Sequence, residues 1–100
     1  MKKSGGKPRD SIYFPISLFA EGCPLSLSAR VLYGVIFTHA MATGCCTDTN
    51  WDLAKFLSIS GKRTSALVSE LVRHQYVDRI VVRDDKTGEV IRRELIPLIK

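Results

Sequence analysis

The sequence predicts a mainly α fold with a C-terminal β-hairpin, which is an α+β domain. Apolar residues recur at helical spacing in three successive stretches between residues 29 and 75. Two β-branched runs, residues 77–83 and 90–96, then flank a segment that contains the turn formers Asp and Gly. A chain of 100 residues is long enough to bury one core and hardly a second. We therefore expect one domain over residues 11–100, with a three-helix core followed by the hairpin.

The first helix is predicted over residues 29–42. Ser28 is its candidate N-cap, because a serine hydroxyl there can accept a backbone N–H from the first turn. The apolar stripe of this helix consists of Leu32, Val35, Ile36, His39 and Ala40. Neighbouring aliphatic and aromatic residues widen the stripe, so the helix is expected to be buried on most sides. A short apolar segment before it, residues 12–16, is a candidate edge strand, because Pro15 excludes a central position.

Two shorter helices are predicted next, with a tight turn between them. Thr49 and Asp52 have the spacing of a capping box, which places the start of the second helix. The third helix is expected to begin at Ser60 or Gly61 and to end near residue 74. Its apolar positions follow the i, i+3, i+4, i+7 pattern, and they are Thr64, Leu67, Val68, Leu71 and Val72.

Two short amphipathic helices joined by a tight turn are typical of a helix-turn-helix unit, whose second helix presents its outer face to the major groove of DNA. Here that helix opens with small and basic residues, and its first two turns lack the Asp and Glu that a helix N-terminus normally favours. We therefore predict double-stranded DNA as the partner. The contacts predicted in this helix are Ser60, Gly61, Lys62, Arg63, Thr64, Ser65 and Ser69. Those predicted in the hairpin are Arg83, Lys86, Arg92 and Arg93, although cross-strand ion pairs with Asp or Glu would explain the hairpin arginines equally well.

The charge of the chain favours a polyanionic partner. The formal net charge is +5, with the positive excess concentrated in residues 1–10 and 50–75. Residues 1–10 combine Lys, Gly, Ser and Pro without an apolar face, which predicts a disordered basic tail. No apolar run approaches the ~20 residues of a transmembrane helix, and no apolar signal segment follows the basic N-terminus. We expect a cytoplasmic protein without a membrane partner.

Three cysteines, Cys23, Cys45 and Cys46, form an odd set with one adjacent pair, which favours reduced thiols over a disulfide framework. Together with His39 they are residue types that bind zinc, but their spacing matches no familiar zinc module. No metal and no cofactor are therefore expected. The sequence offers no phosphate-binding glycine loop, no paired carboxylates and no Ser/His/Asp set, so it does not predict an enzyme. Trp51 is expected to pack between the helices.

Four segments of the chain carry a resemblance to a known family. They are residues 27–33 (LSARVLY), 49–57 (TNWDLAKFL), 59–64 (ISGKRT) and 71–77 (LVRHQYV). Over residues 25–77 the sequence resembles the winged helix-turn-helix domains of plasmid and phage replication initiators and of bacterial transcription regulators. The resemblance implies a C-terminal wing on the DNA backbone, the third helix in the major groove, and a role in transcription regulation or replication initiation. Gly61 stands where that family often has a basic residue, and Gln75 where it often has glycine.

A second function stays open, because fold does not fix function. Some winged helices serve protein–protein interaction or oligomerisation without binding DNA. That alternative gains if acidic residues crowd the surface around Lys62 and Arg63. The acidic residues concerned are Glu70, Asp78, Asp84 and Asp85. The apolar end of the chain, residues 98–100, is compatible with a third strand or with a homodimer contact.

Overall fold

The order of the elements is the predicted one. In a computed structural model, which describes residues 12–98, the helices and strands follow one another without insertion. They are α1 (Leu27–Ala40), α2 (Asn50–Leu57), α3 (Gly61–Arg73), β1 (Val77–Arg83) and β2 (Val90–Pro97). Three helices and an antiparallel hairpin give the α+β fold. The predicted basic tail, residues 1–10, lies outside the described residues. Within residues 12–98, no helix has the length and apolar character needed to cross a membrane.

Each helix begins at a side-chain cap, and two of the three caps are the predicted ones. Thr49 accepts a hydrogen bond from the backbone N–H of Asp52 (3.1 Å), whose carboxylate accepts one from the N–H of Thr49 (3.0 Å). Those bonds from Thr49 lower the pKa of the Asp52 carboxyl. Ser60 caps α3 by accepting from the N–H of Arg63 (3.0 Å).

The predicted cap of α1 is wrong. Ser26, and not Ser28, accepts from the N–H of Ala29 (3.2 Å), so the helix begins two residues earlier than expected. The reason is a tertiary contact. The Ser26 hydroxyl donates to one carboxylate oxygen of Glu70 (3.0 Å), and the Ser26 backbone N–H donates to the other (2.7 Å). This carboxylate on α3 fixes where α1 starts.

The connection from α3 to β1 turns at Gln75, which adopts a φ of 62°. The N–H of Gln75 bonds to the carbonyl of Val72 (3.0 Å), and that of Tyr76 to the carbonyl of Leu71 (2.9 Å). This pair of bonds is a Schellman motif, in which the left-handed residue is usually glycine. The departure from the family pattern noted at Gln75 thus falls where the backbone prefers glycine.

The hairpin is extended by a third backbone segment at Cys46. β1 and β2 pair in an antiparallel register that runs from Val77 opposite Pro97 to Val82 opposite Arg92. On the other edge of β2, Cys46 forms an isolated bridge with Leu95. The order across the sheet is therefore Cys46, β2, β1, a layout consistent with a winged helix. Leu98, at the described end of the chain, instead donates its N–H to the carbonyl of Tyr76 (2.8 Å), and residues 99–100 lie outside the described part.

The core lies between the three helices and β2. Its largest fully buried side chains include Leu18, Leu32, Ile36, Leu53, Leu71 and Leu95. The predicted stripe of α3 is confirmed at four positions, which are buried, while Val72 is half-buried. The predicted burial of α1 on most sides is also confirmed, because every residue from 28 to 40 is buried or half-buried. With one side of α3 used in this way, only its opposite side faces solvent.

The segment before α1 is not the predicted edge strand. Residues 12–15 are extended without strand pairing, and a single 3-10 turn follows at Ile16–Phe19. The backbone N–H of Tyr13 donates to the hydroxyl of Thr38 in α1 (2.8 Å), so a side chain replaces a neighbouring strand as acceptor. Leu18 from the turn is buried in the core.

Gly34 provides a test of how this segment packs. It is buried in α1 beneath the ring of Phe14, and a Cβ at Gly34 would overlap that ring. We expect Gly34→Ala to lower the free energy of unfolding, because the ring must leave its position. In a Phe14→Ala background the same substitution should raise it by up to about 1 kcal/mol, since alanine favours helix over glycine. Urea unfolding of the two single variants and the double variant measures the coupling. Additive effects would show that the ring and the added methyl do not compete for space.

Candidate nucleic-acid interface

The solvent-facing side of α3 forms a narrow stripe of basic and small residues. Lys62, Ser65, Ala66, Ser69 and Arg73 are all exposed, and their spacing places them on one face of the helix. We call these five residues the outer face of α3. Lys62 and Arg73 stand eleven positions apart, which is about 16 Å along the helix axis. The face thus has a cation near each end and only small side chains between them.

Acidic residues do not occupy this face. The one acidic residue of α3, Glu70, has both carboxylate oxygens bound to Ser26 at the start of α1. In the hairpin, Asp84 accepts hydrogen bonds from the backbone N–H groups of Thr87 and Lys86, which lower the pKa of its carboxyl. Within residues 12–98, Lys62 has no ion pair. Of the four acidic residues whose crowding would favour a protein-interaction surface, Glu70 and Asp84 are thus engaged in these contacts, while Asp78 and Asp85 are exposed.

The predicted contacts near the start of α3 divide into exposed residues and one buried residue. Ser60, Gly61, Lys62 and Ser65 are exposed, as a DNA contact requires. Thr64 is 0% exposed, and its hydroxyl donates to the carbonyl of Ser60 (2.9 Å), so its inclusion among the contacts is wrong. A threonine at the centre of the buried stripe satisfies its own hydroxyl within the helix and does not reach a ligand.

Arg63 lies at the border between α3 and α1. Its guanidinium donates to the hydroxyl of Ser28 (3.3 Å), and its side chain lines a shallow groove with Leu57 and Ile59. The residue is nevertheless exposed. Arg63 can thus extend the outer face of α3 toward α1, but only by giving up or sharing its contact with Ser28.

The hairpin of β1 and β2, which we call the wing, has no net charge, and two of its basic side chains bond to groups within it. Residues 77–97 contain five basic and five acidic residues. Arg83 donates to the carbonyl of Gly88 across the turn (3.0 Å), and Arg92 forms an ion pair with Glu94 (2.9 Å). Lys86 is exposed at the turn. Compared with α3, the hairpin presents little unopposed positive charge.

Arg93 is half-buried and bound to groups of the protein itself, so the structure does not present it as a free surface cation. Its two terminal nitrogens donate to the side-chain oxygen of Asn50 (2.6 Å) and to the backbone carbonyl of Asp48 (2.8 Å). Burial lowers the pKa of its guanidinium. Its Nε is buried and has no hydrogen-bond partner within the described residues. These contacts fasten β2 to the start of α2.

Two exposed residues were missed by the sequence reasoning. Arg73 belongs to the outer face of α3, and its spacing from Lys62 and Ser69 is the signal that identifies it. Trp51 is 70% exposed, so its predicted place between the helices is wrong. The core side of α2 is provided by Leu53 and Ala54, and Trp51 lies outside that arc. No sequence signal separates a buried from an exposed tryptophan near the start of so short a helix.

The fold has the layout of a winged helix, with the outer face of α3 free and the hairpin after it. No protein-family model matches the chain, and searches of curated proteins and of solved structures find no match either. The functional assignment therefore rests on the geometry of the interface.

Proposed function

We propose that the protein binds double-stranded DNA with α3 in the major groove. The observation that carries the proposal is the outer face of α3, which is basic at both ends, built of small residues between them, and free of carboxylates. The major groove admits one α-helix, and small side chains allow its backbone to approach the base edges. Lys62 and Arg73 are suited to phosphate contacts, and the hydroxyls of Ser65 and Ser69 to base edges or phosphates.

The packing of α3 supports this role. Thr64, Leu67, Val68 and Leu71 hold the opposite side of the helix in the core, so the outer face is presented by a rigid element. The first turn contains no acidic residue, which leaves the positive end of the helix dipole available to phosphate. The wing contributes backbone contacts at most, through Lys86 and Arg83. We place the protein in the cytoplasm with its DNA, in transcription regulation or in replication initiation.

Two charge-matched double variants test which element binds. Fluorescence anisotropy with a labelled mixed-sequence duplex, titrated with salt, gives the affinity and its salt slope. Lys62→Ala/Arg73→Ala should lower the affinity by about tenfold or more and reduce the slope by about 2, since two phosphate contacts are lost. Arg83→Ala/Lys86→Ala removes the same charge from the wing and should have a clearly smaller effect. Equal losses would assign the binding to net charge alone. Absence of wild-type binding at low salt would overturn the proposal.

A second candidate function is binding of another protein or self-association through the hairpin. It is favoured by the exposure of Val90 and Ile91 on β2, of which Ile91 is 60% exposed. Sedimentation velocity of the wild type and of Ile91→Asp distinguishes this candidate. A homodimer that dissociates in the variant would support it, and a monomer at all concentrations would count against self-association.

A further inference from the structure

We propose that His39, Cys46 and Asp48 form a binding site for a divalent transition metal of the zinc type. One nitrogen, one sulfur and one oxygen donor from these residues lie within 4.8 Å of one another. This mixed donor set is one that Zn²⁺ accepts, and three protein ligands leave a position open for water. The inference is independent of DNA binding, because none of the three residues belongs to the outer face of α3.

The fold holds each of the three residues in place. His39 lies in the last turn of α1, with its ring edge-on to Phe56 at 5.4 Å between centroids. The backbone of Cys46 exchanges two hydrogen bonds with Leu95 (2.8 and 2.9 Å). The backbone carbonyl of Asp48 accepts from Arg93. Since other contacts already fix these backbone positions, binding a metal would cost little further conformational entropy.

The present distances are close to those of a tetrahedral site. The Nδ1 atom of His39 and a carboxylate oxygen of Asp48 are 2.7 Å apart and share a hydrogen bond. Bonds of the usual length to zinc would set the three donor atoms about 3.3 to 3.6 Å apart. The donors therefore need to move by about 1 Å, which side-chain rotation supplies. His39 and Asp48 also line a surface groove with Tyr13, Met41 and Phe56, so two of the three donor residues border solvent, while Cys46 lies buried behind them.

Two groups beside the sulfur of Cys46 favour its thiolate, while burial favours the neutral thiol. Burial raises the pKa of its thiol to about 11, while a hydrogen bond from the backbone N–H of Asp48 and the charge of Arg93 act in the opposite direction. Binding replaces the S–H bond with a sulfur–metal bond and releases the proton to solvent, without any change of oxidation state. The positive charge of Arg93 opposes the cation, but the thiolate and the Asp48 carboxylate together outweigh it.

Cobalt(II) is the probe for this site, because its thiolate complexes absorb in the near ultraviolet and Zn²⁺ displaces it. Titration of the chelator-treated protein with Co²⁺ should produce thiolate-to-metal absorption that Zn²⁺ removes. Cys46→Ser should abolish this band, whereas the adjacent control Cys45→Ser should retain it. Zn²⁺ should raise the melting temperature of the wild type and of Cys45→Ser, since it binds only the folded state.

Two further variants keep the test decisive if Cys46→Ser fails to fold. His39→Gln and Asp48→Asn retain Cys46 and should each weaken Co²⁺ binding by at least about tenfold, the loss that even outer-shell changes cause in metal sites. Circular dichroism checks that these variants are folded. The proposal is overturned if the wild type shows no thiolate band, if the band persists in Cys46→Ser, if it disappears in Cys45→Ser, or if folded His39→Gln binds as well as the wild type.

Discussion

Replacing Ala66 with glutamate is expected to weaken duplex binding strongly and to leave the fold intact. Ala66 is exposed near the middle of the outer face of α3, where the proposed complex brings the helix closest to the bases. A carboxylate there meets phosphates and base acceptors, and the complex would bury it without a counterion. We expect a loss on the order of 100-fold, about 2.7 kcal/mol. Fluorescence anisotropy at fixed salt measures it.

Ala66→Gln is the matched control, because glutamine has the size of glutamate without its charge. We expect this variant to lose clearly less affinity than Ala66→Glu. Both side chains favour helix nearly as well as alanine, so the free energy of unfolding should change by less than about 0.5 kcal/mol in either variant. Full binding by a folded Ala66→Glu protein would place the duplex on another surface and contradict the assignment of α3.

The largest effect on stability is expected from Leu95→Ala. Leu95 is fully buried, and its backbone bonds to Cys46 join β2 to the third segment of the sheet. Truncation to alanine loses the transfer free energy of the side chain and leaves a cavity, together about 2–5 kcal/mol. Because a domain of this size has a total stability of roughly 5–15 kcal/mol, the variant is expected to lose a large share of its free energy of unfolding. Urea unfolding gives the difference in free energy.

Ile91→Ala is the control on the same strand. Ile91 is exposed near the tip of the hairpin, so its truncation should change the free energy of unfolding by no more than about 0.5 kcal/mol. If both variants lost the same stability, the hairpin tip would be packed against another surface in solution. That outcome would favour self-association through the hairpin over a hairpin that is exposed to solvent.

The order of the elements and two of the helix starts follow from the sequence. The capping box at Thr49 and the cap at Ser60 depend on groups within three residues of each other, so local spacing determines them. The buried stripe of α3 follows from the helical period alone. The outer face follows as its complement, although Arg73 was overlooked at its far end.

The wrong predictions have a different cause, which is contact between residues far apart in the chain. The predicted cap at Ser28 is wrong because the carboxylate of Glu70, which binds the observed cap Ser26, is 44 residues away from it in the chain. Arg93 was assigned to the surface because arginine usually lies there, yet its partner Asn50 is 43 residues away. Trp51 was misplaced because the side of a helix that a neighbour covers is set by packing. Thr64 already belongs to the apolar stripe that the helical period predicts, and its burial there excludes it as a contact.

The sequence by itself thus determined the fold class and the helix whose exposed face is small and basic, because these depend on periodicity within single helices. Only the tertiary structure decided which cations are free and which are anchors, and only it brought His39, Cys46 and Asp48 together. The physical reason is that charges, caps and metal donors act over a few ångströms in space. Chain neighbours alone do not specify which distant groups come that close.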